Sequence, residues 1–365
     1  MFQLFKRLLW IFLIVILVTS CFSCKQNVNN NKDFIDALTK KAKKWDKSFS
    51  GAILVADNSG VLFEYYAGEA SKNFHVKNMQ DTRFNLASIN KMFTSVAIMQ
   101  LVEKGQILLN DTISKYIDST WLSAPLLSQI TVEQLLNHTS GLGNFFNEVF
   151  WKSSRLNYRK LTDYEFVVYT DTLLFNPGSG FNYSNTGMFL AGLIIEKVTG
   201  TDYFRYIDEH IYSPAGMTNS GSLEMDRVNE NIAVGYHLDE KGLFIDNSFY
   251  HVLKGSAAGG GYSTANDLYK FAKALLSGKL VSDKTLTQMV TDKAGYNYGY
   301  GISLGEENGV NYFGHGGTFM GISNNVTIFS KSKYIVIILS NYTDGSIVPL
   351  KYIRNYICTN NINKS

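Results

Sequence analysis

NLASINKMF, residues 85–93, decides how the rest of the chain is read. Ser88 is followed three positions later by Lys91, and an apolar series continues behind them through Met92, Phe93, Val96, Ala97 and Leu101. A serine hydroxyl is a poor nucleophile at neutral pH and needs a base within hydrogen-bond reach. Residues three apart share one face of a helix, one turn up. Ser88 at a helix start can therefore meet Lys91. The helix N-terminus adds a positive field that favours an alkoxide and, together with burial, a neutral lysine. Alone, S-x-x-K is a weak pattern: Ser330 and Lys333 match it too, in what reads as a solvated turn.

Two further patterns lie downstream. Tyr183-Ser184-Asn185 follows Pro177-Gly178-Ser179-Gly180 and precedes a long apolar helix. A tyrosine near a lysine can carry a proton, and an asparagine two along can donate its amide to a substrate carbonyl or to Lys91. The bland alternative is an aromatic packed on the helix, with an Asn in a turn. The third stretch is Phe313-Gly314-His315-Gly316-Gly317-Thr318, on a strand. Glycines inside a strand mark close approach of another backbone or a ligand. Acyl transfer needs two convergent N–H donors for the developing oxyanion. The candidates are the N–H groups of Ser88 and Thr318, with Gly316 and Gly317 against the substrate.

Working outward, Ser50–Ala56 and Val61–Tyr66 read as a hairpin about Asn58-Ser59-Gly60. Asn325–Phe329 and Tyr334–Leu339 form another, and a third turns at Glu307-Asn308-Gly309. The stretch from roughly 92 to 250 is mostly helical in pattern. Thr131 caps Glu133–Asn137, Gly187–Val198 stops at Gly200, and Thr264 with Asp267 suggests a capping box before Leu268–Leu276. Ile347, Leu350, Ile353 and Ile357 share a helical face. Strands from both chain ends then close one antiparallel sheet, flanked by helices and carrying a helical insertion: an α+β fold.

Ser88-Ile89-Asn90-Lys91, Tyr183-Ser184-Asn185 and His315-Gly316-Gly317, in this order, resemble the boxes S-x-x-K, Y-x-N and K/H-x-G of the β-lactamase-related serine hydrolases, the class C β-lactamase and low-molecular-weight penicillin-binding protein group. LLNHTSGL (135–142), FNPGSGFNYSN (175–185), SPAGMTNS (213–220) and AAGGGYSTANDL (257–268) agree with it, so the resemblance spans about 35 to 345. It implies a β-lactamase/transpeptidase-like fold with an inserted all-helical region. It also implies a serine hydrolase acting through an acyl-enzyme on Ser88, with Lys91 and Tyr183 sharing the proton work, Asn185 positioning the substrate and His315 in the catalytic set. Which of Lys91 and Tyr183 is the base stays open at this level. No metal or organic cofactor is implied. His138, in the HTSG stretch, reads as structural.

The third box departs from the lactamase form, which resembles K-T-G. An unperturbed histidine, with a pKa of about 6.5, is mostly neutral where lysine is charged. Some peptidases and esterases of the family resemble the H-x-G form, so the resemblance implies a D-amino-acid peptide, amide or ester as substrate, cell-wall derived ones included. A class C-like β-lactamase and a non-catalytic cell-wall binding protein are the alternatives. If protonated His315 holds a substrate carboxylate, turnover of such substrates falls as pH rises through the histidine pKa.

Lys6 and Arg7 precede an apolar run, Leu8–Val18, and then Thr19-Ser20-Cys21. This is the order of a secretory signal, with a lipobox-like end at Cys21. The expected organisation is a signal peptide over 1–20, a lipid-anchor tether over 21–34 and a hydrolase domain over 35–360. That places the protein at the bacterial cell envelope, on the periplasmic or surface side, held to the membrane through its N-terminus. The 365 residues carry a formal net charge of +3 and no basic stripe, which argues against nucleic acid as a partner. The cysteines are Cys21, Cys24 and Cys358, none at zinc spacing, and a Cys24–Cys358 disulfide is not expected.

Overall fold

The computed structural model describes residues 31–45 and 48–360. The signal, the lipobox, Cys21 and Cys24 lie outside the described residues. Gly51–Asp57 (β1), Gly60–Ala67 (β2), Ser303–Glu307 (β3), Val310–Phe319 (β4), Ile322–Phe329 (β5) and Ile335–Ser340 (β6) form one sheet in the order β2-β1-β6-β5-β4-β3. Every neighbouring pair is antiparallel. The two chain ends thus meet in the middle of the sheet, where β1 pairs with β6 from Gly51–Ser340 to Ala56–Ile335.

Both central strands are apolar throughout because both faces of the sheet are covered. On one face, Ile53 and Val55 of β1 and Val336 and Ile338 of β6 meet a helix over residues 31–42 (α1) and the C-terminal helix Ile347–Thr359. In α1, Phe34, Leu38 and Ala42 recur every four residues and are fully buried. Burial of each of the two larger side chains is worth about 2 kcal/mol. The tether boundary expected at residue 34 accordingly falls inside this helix.

On the other face, Ala52, Leu54, Ile337 and Leu339 pack on the main core with Asn90–Glu103 (α2), Asn185–Thr199 (α3) and Ala265–Leu276 (α4). Helix α2 is buried on nearly every side, as befits a helix apolar all round. Ser184 caps α3 through Gly187 N–H, and Gly200, at φ 67°, ends it. Thr131 and Gln134 form a reciprocal capping box on Val132–Leu136. Thr264 caps α4, but Asp267 does not return the bond: its carboxylate accepts instead from Asn219 N–H, Ser220 Oγ and Lys270 Nζ. A two-stranded hairpin, Tyr236–Leu238 with Phe244–Asp246, interrupts the otherwise helical and looped stretch before residue 250. Cys358 is a buried free thiol.

Candidate active site

Ser88 sits in a short 3₁₀ turn, Ala87–Ile89, that runs into α2. The residue before it, Ala87, has φ 46°, a left-handed conformation that costs a non-glycine residue about 1–2 kcal/mol. Neighbouring bonds impose it. Asn85 Oδ1 accepts from Ala87 N–H at 3.0 Å, Gly260 N–H donates to Ala87 O at 3.1 Å, and Leu86 N–H donates to Gly261 O at 2.8 Å. The loop before Tyr262 is in turn pinned to α2: Asn90 Nδ2 donates to Ser256 O and Thr94 Oγ1 to Ala257 O. The stretch AAGGG, carried in the sequence only as a supporting match, is the clamp on the nucleophile turn.

Lys91 is fully buried, and its Nζ lies 2.9 Å from Ser88 Oγ, 2.7 Å from Asn185 Oδ1 and 2.5 Å from Ala258 O. None of these partners is a carboxylate, and burial drives its pKa well below the ordinary 10.5. A neutral amine has two N–H donors and one lone pair. Asn185 Oδ1 and Ala258 O can only accept, so in the neutral amine they would take both hydrogens and leave the lone pair for the Ser88 hydroxyl. Asn185 therefore meets Lys91 as an acceptor, while its Nδ2 donates to Asn144 Oδ1 at 3.3 Å. Nothing in the sequence marks Asn144 or the Ala258 carbonyl, which is 167 positions from Lys91.

The Tyr183 ring lies 4.8 Å from Lys91 Nζ, and its hydroxyl is near enough to Ser88 to feel its pull. Burial raises its pKa, and the smaller pull of Ser88 opposes this. The phenol therefore holds its proton at neutral pH. Behind Tyr183 lies buried His138, 4.4 Å between ring centres and at φ 62°. Its Nδ1 accepts from Ser184 N–H, and its Nε2 has no hydrogen-bond partner among the described residues.

Strand β4 passes directly over the turn that carries Ser88. A Cβ on Gly317 would lie 2.1 Å from Leu86 O, and one on Gly314 1.9 Å from Val326 O, so two of the strand glycines answer to close backbone approach. A Cβ on Gly316 would meet only ordinary contacts, 3.6 Å from Asn324 O. Neither Gly316 nor Gly317 lines the cavity beside Ser88; Thr318 and Phe319 do. On β4 the cavity lining begins one residue beyond Gly317.

His315 departs most from expectation. It is buried, its Nε2 lies 2.8 Å from Tyr298 Oη and its Nδ1 2.5 Å from Gly316 O. Gly316 O must receive a hydrogen, so Nδ1 carries it and Nε2 accepts from the tyrosine. Burial lowers the ring's pKa to about 3. His315 is a neutral prop behind Tyr183, 6.0 Å away between ring centres, and presents no charge to a substrate. Tyr298, which the sequence did not single out, completes the prop. No group of His, Cys, Asp and Glu among the described residues could hold a metal ion.

The chain belongs to the Beta-lactamase family, whose sequence model matches residues 35–352. PbpX of Bacillus subtilis, which carries the name of a penicillin-binding protein, is 30% identical over 301 residues, covering 82% of this chain and 72% of that one. The penicillin-binding protein structure from Bacillus halodurans superposes with a TM-score of 0.80 at 29% identity, covering 87% of this chain and 98% of that one. A D-stereospecific amidohydrolase from Streptomyces superposes at 0.72 with 26% identity, covering 90% and 98%. The antiparallel sheet with its helices is the β-lactamase/transpeptidase-like fold of these relatives, in a family that includes serine hydrolases.

Proposed function

We propose that the protein is a serine hydrolase that cleaves an amide or ester through an acyl-enzyme on Ser88. The preferred substrates are D-amino-acid peptides, amides or related esters. The observation that carries this is the Lys91 amine, buried without a counter-charge and held so that its lone pair meets the Ser88 hydroxyl. In the first half-reaction Lys91 takes the hydroxyl proton while Oγ bonds to the carbonyl carbon. The oxyanion is held by the N–H groups of Ser88 and Thr318, and losing one such donor typically costs about 10²–10³ in rate. As the tetrahedral intermediate collapses, the proton reaches the leaving group through Tyr183, which burial keeps protonated and which lies close to Ser88. Water then attacks the ester by the same route in reverse. Export and lipidation at Cys21 belong to the same proposal and place the reaction at the cell envelope.

The test is intact mass and turnover with an activated ester and, separately, a penicillin. Wild type gains an acyl mass on the peptide carrying Ser88, and Ser88→Ala gains none while remaining folded. Retained turnover in a folded Ser88→Ala protein removes the acyl-enzyme mechanism.

A further inference from the structure

We infer that the acyl group this site accepts is bulky, apolar and uncharged, an arylacetyl group being a good representative. The inference rests on the acyl-enzyme reading above and narrows its substrates to those whose acyl residue has an apolar side chain and no free ammonium, a nitrogen there being acylated or peptide-bonded. Beside Ser88 opens a cavity of about 230 Å³. Phe145, Phe146, Phe150 and Tyr164 of the insertion wall one side, and Met225 and Phe319 another. The rings brace one another: Phe145 stands 5.3 Å from Tyr164 and 6.0 Å from Phe150, and Phe146 lies 6.3 Å from Phe319. Trp151 stacks on Phe319 from outside, at 6.5 Å and 8°. A preformed aromatic wall of this kind rewards apolar surface and specifies little hydrogen bonding.

The lining contains no Asp, Glu, Lys or Arg. Cations near it are already engaged. Lys254 pairs with Glu224, and Arg159 with Glu224 and Asp226. Arg155 donates to the carbonyls of Phe150, Trp151 and Ser153 while packing on the Phe150 ring. His251, the histidine in the lining, is held near about 4 by burial and is neutral at neutral pH. A carboxylate or ammonium on the substrate would enter without a partner, which is costly in an apolar site. The pocket suits the acyl side because that group stays on Ser88 through deacylation, whereas the leaving group must depart and admit water.

The experiment compares 4-nitrophenyl esters of acetic, phenylacetic and 4-carboxyphenylacetic acid, which share one leaving group. One methylene in a good apolar pocket is worth roughly 10-fold or more, so even a partly seated phenyl ring raises kcat/KM for the phenylacetyl ester at least about 100-fold over acetyl. The carboxylated ester falls below acetyl. Phe146→Ala narrows the phenylacetyl-to-acetyl ratio by about tenfold. Met225→Arg, at a position 38% exposed and so tolerant of a charge, raises the carboxylated ester relative to phenylacetyl. A phenylacetyl-to-acetyl ratio near one, or a carboxylated ester turned over as well as phenylacetyl, overturns the inference and leaves the acyl-enzyme mechanism standing. No turnover of any ester, with no labelling of Ser88 by a fluorophosphonate, removes both.

Discussion

Replacing Gly317 by alanine sets a methyl group 2.1 Å from Leu86 O, where ordinary contact begins near 3.4 Å. Both atoms belong to backbone held on either side: β4 by its ladder to β5, and Leu86 by its bond to Gly261. The strand and the nucleophile turn must part by roughly 1 Å, an overpacking strain of about 1–3 kcal/mol. That parting separates Ser88 from Thr318, the two proposed oxyanion donors. A displacement of about 1 Å at a reacting centre costs on the order of 10²-fold in rate. Gly317→Ala should therefore lose about 100-fold in the rate of Ser88 acylation by an activated ester. Its melting temperature should fall by only a few degrees. Gly316→Ala is the control, since its methyl group meets nothing nearer than 3.6 Å and acylation should stay within about twofold of wild type. A folded Gly317→Ala protein that acylates as fast as wild type refutes the placement of β4 against the nucleophile turn.

Other outcomes follow from titration and from the chain's N-terminus. Lys91 is protonated in the unfolded chain below pH 10.5 but not in the folded one until pH falls through its depressed value. Unfolding takes up a proton in that window, so Lys91→Met should be inactive, and its melting temperature relative to wild type should drop as pH rises from 7 towards 10; a constant difference means that Lys91 folds charged. His315, near about 3 when folded against about 6.5 unfolded, makes wild type lose stability as pH falls below 6.5, and His315→Gln should lose less between pH 6.5 and 4 by thermal melts. For the same reason the kcat/KM ratio of a carboxylate-bearing to an uncharged ester should be flat from pH 5 to 8; a fall centred near 6.5 would restore a charged His315. Peptide mapping of the membrane fraction should find residues 1–20 removed and a lipidated Cys21, and an intact Met1 or a bare Cys21 counts against it.

The parts of this molecule that repeat locally could be read before folding. The hairpins followed from alternation and turn residues, and Ser88 with Lys91 from helical spacing. What escaped depends on pairings between remote segments. His315 sits in the third box as expected, yet its side chain belongs to Tyr298, on a different turn, and burial there removes the charge for which it was singled out. The Ala258 carbonyl decides how many hydrogens Lys91 can keep, and a backbone oxygen has no signature in a sequence. The aromatic wall is assembled from separate segments, none unusual on its own. Phe34 was assigned to the tether because a lone apolar residue beside a polar stretch shows no period until Leu38 and Ala42 join it.

Helix α1 enters the domain where Asn31 donates to Asp57 and accepts from Tyr334, at the outer end of β1 and the start of β6. Thr318, which faces the nucleophile turn, lies in register with Ser323, Ser340 and Gly51, the opposite end of the same strands. Seven residues of β1 separate the two levels, about 20 Å. A domain leashed at its N-terminus would thus hang with its mouth turned away from the leash.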